Sequence, residues 1–193
     1  MPTPSDSLRA ALLASARVSF TEHGYDHATV REITGRVDGN PSLVNRLFGS
    51  KQALFAEAVA DSFTIGDLLV GERATLGDRL ARWLVTPRPA GGFDPTLVLL
   101  RSAASPDAAP QLRAALEAQV VAPLARWLGG AHADARAGLV LSVLFGIAVT
   151  RDVMALPTLD RADGDVLSAY LGPMLQRILD GAPATDPATP GGG

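Results

Sequence analysis

Apolar residues recur along this chain at three- and four-residue spacing, and that period predicts helices from one end to the other. Leu8, Leu12, Ala16 and Phe20 mark a first helix, capped at Ser5, Asp6 or Ser7 and running to about His23, with Gly24 as its stop. Val30, Ile33 and Val37 mark a second, opened by Thr29. Asn40 is a favoured cap and Pro41 a favoured first residue for a third, which buries Val44 and either Leu47 or Phe48. Ser50 caps a fourth, whose apolar side of Ala53, Leu54, Phe55, Ala58, Val59 and Phe63 extends toward Leu69.

The pattern continues with Leu76 to Val85, where Leu80, Trp83 and Leu84 point inward. Residues 86–94 (TPRPAGGFD) are a loop by composition, Pro95 to Ser102 a short helix, and Ala108 to Leu128 a long helix that Pro123 should bend. From Asp134 to Met154 apolar side chains cover nearly the whole circumference, so one face packs on its own core and the other needs a second chain. Asp163 to Leu179 repeats apolar pairs in a wide stripe. The expected fold is all-α. Residues 1–51 form an N-terminal three-helix, helix-turn-helix DNA-binding unit, residues 52–180 a larger helical ligand-binding and dimerisation bundle, and residues 181–193 a disordered tail.

Composition supports helices packed through small and aliphatic groups: 47% of the 193 residues are hydrophobic but only 5% aromatic. The net charge of -3 argues against a protein that coats nucleic acid. Basic and acidic residues nearly balance over residues 1–51, so any DNA contact must come from placing a few groups well. Without cysteine there is no disulfide, thiolate nucleophile or zinc-thiolate site. No signal peptide is expected, and the apolar run from Gly138 to Thr150 is too short to span a membrane, which makes a cytoplasmic protein the expectation.

Enzymatic chemistry is not expected. His23, His27 and His132 are read as separate and without carboxylate company, so no metal and no cofactor is expected. The acidic stretch Asp160 to Asp165 lacks the glycine position and closing glutamate of a calcium loop and reads as a helix cap. No phosphate-binding loop, dinucleotide fingerprint or nucleophile–base arrangement is present.

What remains is Thr29 to Lys51, two short helices about a tight turn. Helix N-termini bind phosphate through free N–H groups, and three of them fall close together, at Thr29, Asn40 and Ser50. Arg31 and Arg46 can reach base edges or phosphate, and Lys51 can add a phosphate contact. The wider pattern is more specific. Ala11-x4-Ala16-x3-Phe20-x-Glu22-x-Gly24-Tyr25, then Thr29-Val30-x2-Ile33, then Phe48-Gly49-Ser50-Lys51-x2-Leu54-Phe55 resembles the TetR family of bacterial transcription regulators in order and spacing.

The resemblance implies that Thr29 and Lys51 hold phosphate and that Arg31 contacts base or phosphate. It further implies that Pro41, Ser42, Leu43, Asn45 and Arg46 form the exposed face of the recognition helix. It implies a homodimer that binds a palindromic double-stranded operator as a repressor, the family's usual manner, and is released by a small-molecule effector. The dimer face would hold Val143, Ile147, Leu167, Tyr170, Leu171, Met174 and Ile178. Phe63, Trp83, Leu97, Leu100, Arg101, Trp127 and Phe145 are candidates for the effector pocket, though each suits plain core better than ligand contact, with Arg101 able to pair with an acid group. The alternative is a helical homodimer that takes a ligand or protein partner without reading DNA.

Departures from the family pattern at four positions bear on the motif. Asp38 stands where a glycine is usual, Gly39 where a buried valine is usual, and Asn45 and Leu47 where an aromatic and a histidine are common. Gly39 leaves a gap in the motif's core, and Leu47 offers no polar contact.

Overall fold

The computed structural model describes residues 4–86 and 92–181. Residues 87–91 of the expected loop and 182–193 of the expected tail lie outside the described residues. Every regular element among the described residues is helical: α1 (Pro4–His27), α2 (Val30–Gly35), α3 (Ser42–Phe48), α4 (Lys51–Val59), α5 (Leu76–Val85), α6 (Pro95–Ser102), α7 (Ala109–Leu116), α8 (Ala122–Leu128), α9 (Ala133–Ala148), α10 (Pro157–Asp160) and α11 (Gly164–Asp180). They gather into two compact units, one of residues 4–64 with 92–120, the other of residues 65–86 with 121–181.

The first unit is built on α1. Leu12, Ala16 and Phe20 are fully buried, as the spacing predicts. Phe20 meets Phe55 of α4 edge-on at 4.9 Å, and Tyr25 meets Phe55 at 5.0 Å, so three of the chain's few rings sit in one cluster. Gly24 breaks α1 with φ 71 and ψ 177, a backbone conformation open in practice only to glycine. The break brings the end of α1 against α6. A Cβ at Gly24 would lie 2.7 Å from the Arg101 carbonyl oxygen. Arg101 donates to the Thr21 and Glu22 carbonyls, and Ser102 Oγ accepts from Tyr25 N at 3.0 Å.

Two helix ends differ from the spacing-based expectation. α4 stops at Val59 rather than extending toward Leu69, because Ala60 is extended and Asp61 left-handed (φ 58). The Gln119 side chain then closes that end: Oε1 accepts from Phe63 N at 2.9 Å, and Nε2 donates to the Val59 carbonyl at 3.3 Å. The long helix expected from Ala108 is interrupted ahead of Pro123 by a π-helical turn, Glu117–Val121. Proline has no N–H to continue the ladder, and a wider turn accommodates the missing bond.

The second unit packs α5 on α11 and α9 on α8 and α11. The first crossing is close because both helices present glycine. A Cβ at Gly77 would stand 2.8 Å from Gln176 N, and one at Gly172 would collide with the Asp78 carboxylate. Gln176 Oε1 accepts from Gly77 N at 2.9 Å. Arginines close several helix ends: Arg136 donates to the Gly129 and Leu179 carbonyls, and Arg151 to those of Leu84 and Val85.

In α9, Ala137, Val140, Leu144 and Ala148 are buried, while Leu139 on the opposite face is 54% exposed. The helix runs on through a π-helical Val149–Val153, which lengthens it beyond the apolar run read from the sequence. By length and composition alone Ala133–Val153 could cross a membrane, contrary to that reading. Its buried face, packed on α8 and α11, makes it a core helix on one side.

Candidate nucleic-acid interface

The motif's turn forms despite its substitutions. Asp38 takes the left-handed position with φ 52. Gly39 N donates to the Thr34 carbonyl at 2.9 Å and Asp38 N to that of Gly35 at 3.4 Å, the two bonds that close a helix through a left-handed residue. Aspartate is among the few side chains that visit this conformation readily. The gap expected at Gly39 is filled from the next helix: a Cβ there would fall inside van der Waals contact of Leu43 Cδ1. Leu43 is accordingly 8% exposed and turned into the core beside Val44, not onto the outer face where the family pattern places it. Gly39 and Leu43 are therefore a complementary pair. Gly39→Ala should destabilise the protein by about 1–3 kcal/mol and cost little in a Leu43→Ala background, as thermal unfolding of the four proteins of the cycle will show.

Capping follows the sequence closely. Thr29 Oγ1 accepts from Glu32 N at 3.1 Å and Ser50 Oγ from Ala53 N at 3.0 Å. Asn40 Oδ1 accepts from both Ser42 N and Ser42 Oγ, so α3 begins at Ser42 with Pro41 just outside it. Pro41, Ser42, Asn45 and Arg46 are exposed on this short helix, and Leu47 is half-buried.

Cations divide into two groups. Arg31 and Arg46 are exposed and, among the described residues, make no ion pair. Arg9, Arg36 and Lys51 are engaged within the unit. Arg9 pairs with Glu57 and lies over the Phe48 ring, and Arg36 pairs with Glu22 and Glu32. Lys51 stands 4.4 Å from the centroid of the Tyr25 ring. Burial there pulls the lysine pKa down, against Asp26 and Asp107, which pull it up.

His23 does have carboxylate company, which its place in the sequence conceals: Nε2 lies 3.2 Å from Glu32 and 3.7 Å from Glu22. These three groups could hold a metal ion. Arg36 already bonds both carboxylates, and Ser19 Oγ donates to Glu32 at 3.1 Å, so the cluster staples α1 to α2. Burial alone would raise the Glu32 pKa; the bonds from Ser19 and Arg36 and the neighbouring His23 outweigh it and leave it lowered.

The effector-pocket candidates separate. Phe63, Leu97, Leu100 and Arg101 belong to the first unit, and Trp83, Trp127 and Phe145 to the second. Arg101, expected to meet an acid group, has its guanidinium on the α1 carbonyls instead. Trp83 points outward at 45% exposure, against the inward position read from the periodicity, and Trp127 lies under Arg73 at 5.3 Å.

The dimer candidates also sort by burial. Tyr170 is 77% and Met174 42% exposed; Val143, Ile147, Leu167 and Ile178 are half-buried; Leu171, at 6%, faces its own core and not a partner. The sequence reading missed Leu139 and Val166, at 54% and 52%. Both lie within runs of apolar residues whose two faces cannot be told apart without knowing which one packs.

Comparison with known proteins supplies the family. Residues 12–58 match the family model described as bacterial regulatory proteins, tetR family. Residues 74–179 match the model described as tetracyclin repressor-like, C-terminal domain. A search of curated proteins gives no match. Among solved structures, a TetR-family regulator from Streptomyces coelicolor A3 is 28% identical with a TM-score of 0.60, the alignment covering 93% of this chain and 98% of that one. A transcriptional regulator from Rhodococcus sp. Rha1 is 26% identical with a TM-score of 0.61, covering 93% and 97%. With its helix-turn-helix and its helical C-terminal domain both matched, this chain belongs to the TetR family of bacterial regulators.

Proposed function

We propose that the protein is a ligand-responsive, non-enzymatic transcriptional repressor of the cytoplasm, which binds a palindromic operator as a homodimer and leaves it when a small molecule binds. The observation that carries this reading is the outer face of α3. Pro41, Ser42, Asn45 and Arg46 are exposed there while Leu43 and Val44 hold the helix down. A helix held in this way can enter the major groove with Asn45 and Arg46 toward base edges. Thr29 and Arg31 at the start of α2 would take phosphate, as would Lys51 once drawn off the Tyr25 ring. Residues 1–51 make up the reading unit on this account, and residues 52–180 carry the effector site, with Trp127 and Phe145 in its wall, and the dimer face. The effector must bind the two states with different affinity to shift the balance between them.

A footprint on DNA flanking the protein's own gene tests this. We expect one protected palindrome, with half-sites about one helical turn apart; no shift and no protection at low salt would refute the repressor. On that site Arg46→Ala should weaken binding by about 1–3 kcal/mol and relax discrimination at one base pair per half-site, measured by anisotropy against single-base variants.

The second reading, a helical homodimer that binds a ligand or protein without DNA, draws on one observation. Arg9, Arg36 and Lys51 are engaged inside the unit, which leaves few cations for phosphate. The footprint separates the two readings.

A further inference from the structure

Lys51 is the only lysine in the chain, and its ammonium is taken up inside the first unit. It covers the Tyr25 ring at 4.4 Å, a position in which a cation is held by the ring's electron-rich face. Two acids act on it electrostatically, and hydrogen bonds hold the segments that carry them. Asp26 follows Tyr25 in the chain, and its carboxylate accepts from Ser105 Oγ at 2.7 Å. Asp107 lies in the same turn as Ser105, between α6 and α7, and its backbone carbonyl accepts from the Nε2 of Gln52, the residue after Lys51, at 3.1 Å. Ser105 thus ties the Asp26 carboxylate to the α6–α7 turn, and the Asp107 backbone is tied to the first turn of α4, where a DNA phosphate would meet the lysine. The attraction of both acids for the ammonium acts in the partly buried site, where charges are screened less than in open water.

We propose that Asp26 and Asp107 set the strength of DNA binding by competing with backbone phosphate for Lys51. Both are positioning residues: they act through the lysine and need touch no DNA. The inference rests on the DNA-reading function proposed above and adds where its affinity is adjusted. One of the two competing acids sits on the α6–α7 turn, so any displacement of that turn changes how freely Lys51 reaches phosphate.

A phosphate contact is indifferent to sequence, so a short random-sequence duplex at low salt is a sufficient probe. Asp26→Asn and Asp107→Asn keep shape and hydrogen-bonding oxygens. Each should tighten binding by roughly two- to fivefold and steepen the salt dependence. In a Lys51→Gln background neither should have an effect. Simple repulsion between the acids and DNA would give the same tightening with and without the lysine, and that result overturns the proposal, as does an unchanged affinity.

A second readout needs no DNA. Reductive methylation with carbon-13 labels Lys51 as the sole side-chain amine. Its NMR titration midpoint should move to lower pH in Asp26→Asn and in Asp107→Asn, since both acids hold it up. A wild-type protein that binds duplex but whose lysine midpoint ignores both substitutions overturns this proposal alone. A wild-type protein that binds no duplex at any salt overturns the DNA-reading function and this proposal together.

Discussion

Replacing Leu139 and Tyr170 together by arginine should leave a folded monomer that has lost its operator. Both side chains are more than half exposed, 54% on α9 and 77% on α11, so neither substitution opens the core of the second unit. Val166 and Met174 join Tyr170 on the outer side of α11, while Ser142 and Gly146, small and exposed, follow Leu139 along α9. No atom lies within 4 Å of a Cβ at Gly138 or Gly146, which leaves room for a partner helix to approach. An exposed apolar surface of this kind marks an interaction site. Two arginines there would have to be desolvated without partners, at a cost a dimer cannot bear. Sedimentation should give half the wild-type mass with an unchanged far-UV spectrum and Tm. Operator affinity should drop by roughly a hundredfold or more, because two linked half-sites become two independent ones. A wild-type mass after the double substitution would mean that no dimer forms through this face. Leu171→Arg is the instructive contrast: at 6% exposure it should unfold the unit rather than split a dimer.

Gly24→Ala should be the most damaging methyl group that can be added to the first unit. Its φ of 71 with ψ of 177 excludes other residues on steric grounds, and the new Cβ would stand 2.7 Å and 2.8 Å from the Arg101 carbonyl oxygen and Cβ. Relief on one side means unwinding the end of α1; on the other it means moving α6. Strain and overpacking together should cost on the order of 3 kcal/mol. The bonds from Arg101 and Ser102 to α1 would loosen with it. Gly35→Ala is the matched control. Gly35 is helical, no atom lies within 4 Å of its Cβ position, and alanine there should be neutral or stabilise by up to about 1 kcal/mol. The urea midpoint should therefore fall in Gly24→Ala and stay or rise in Gly35→Ala. A Gly24→Ala protein as stable as the wild type would show that the α1–α6 seam is not held as described.

The helices, their caps and the helix-turn-helix were legible because each carries a local signal: a hydrophobic period, a capping side chain, a glycine at a turn. The family pattern, read from residues such as Gly24, Thr29 and Lys51, placed them in order. What escaped depends on neighbours distant in sequence. Leu43 looked exposed by its place on the recognition helix, and only Gly39, four residues earlier, gives it somewhere to go. Arg101 looked like a ligand contact, because nothing local reveals that Gly24 brings α1 carbonyls within its reach. His23 gained carboxylate neighbours from Glu32 on the next helix. On α9, apolar residues on every side concealed which face packs, so Leu139 went unnoticed and Leu171 of α11 was assigned to a partner although it serves its own core.

Whether α3 reads DNA sequence can be tested, without any knowledge of target genes, by selecting from a pool of random duplexes with this chain. One palindromic consensus should be enriched, centred on half-sites about one helical turn apart, with that preference lost at one base pair per half-site in Arg46→Ala. Recovery of unenriched sequence from repeated rounds at low salt would contradict sequence reading by α3.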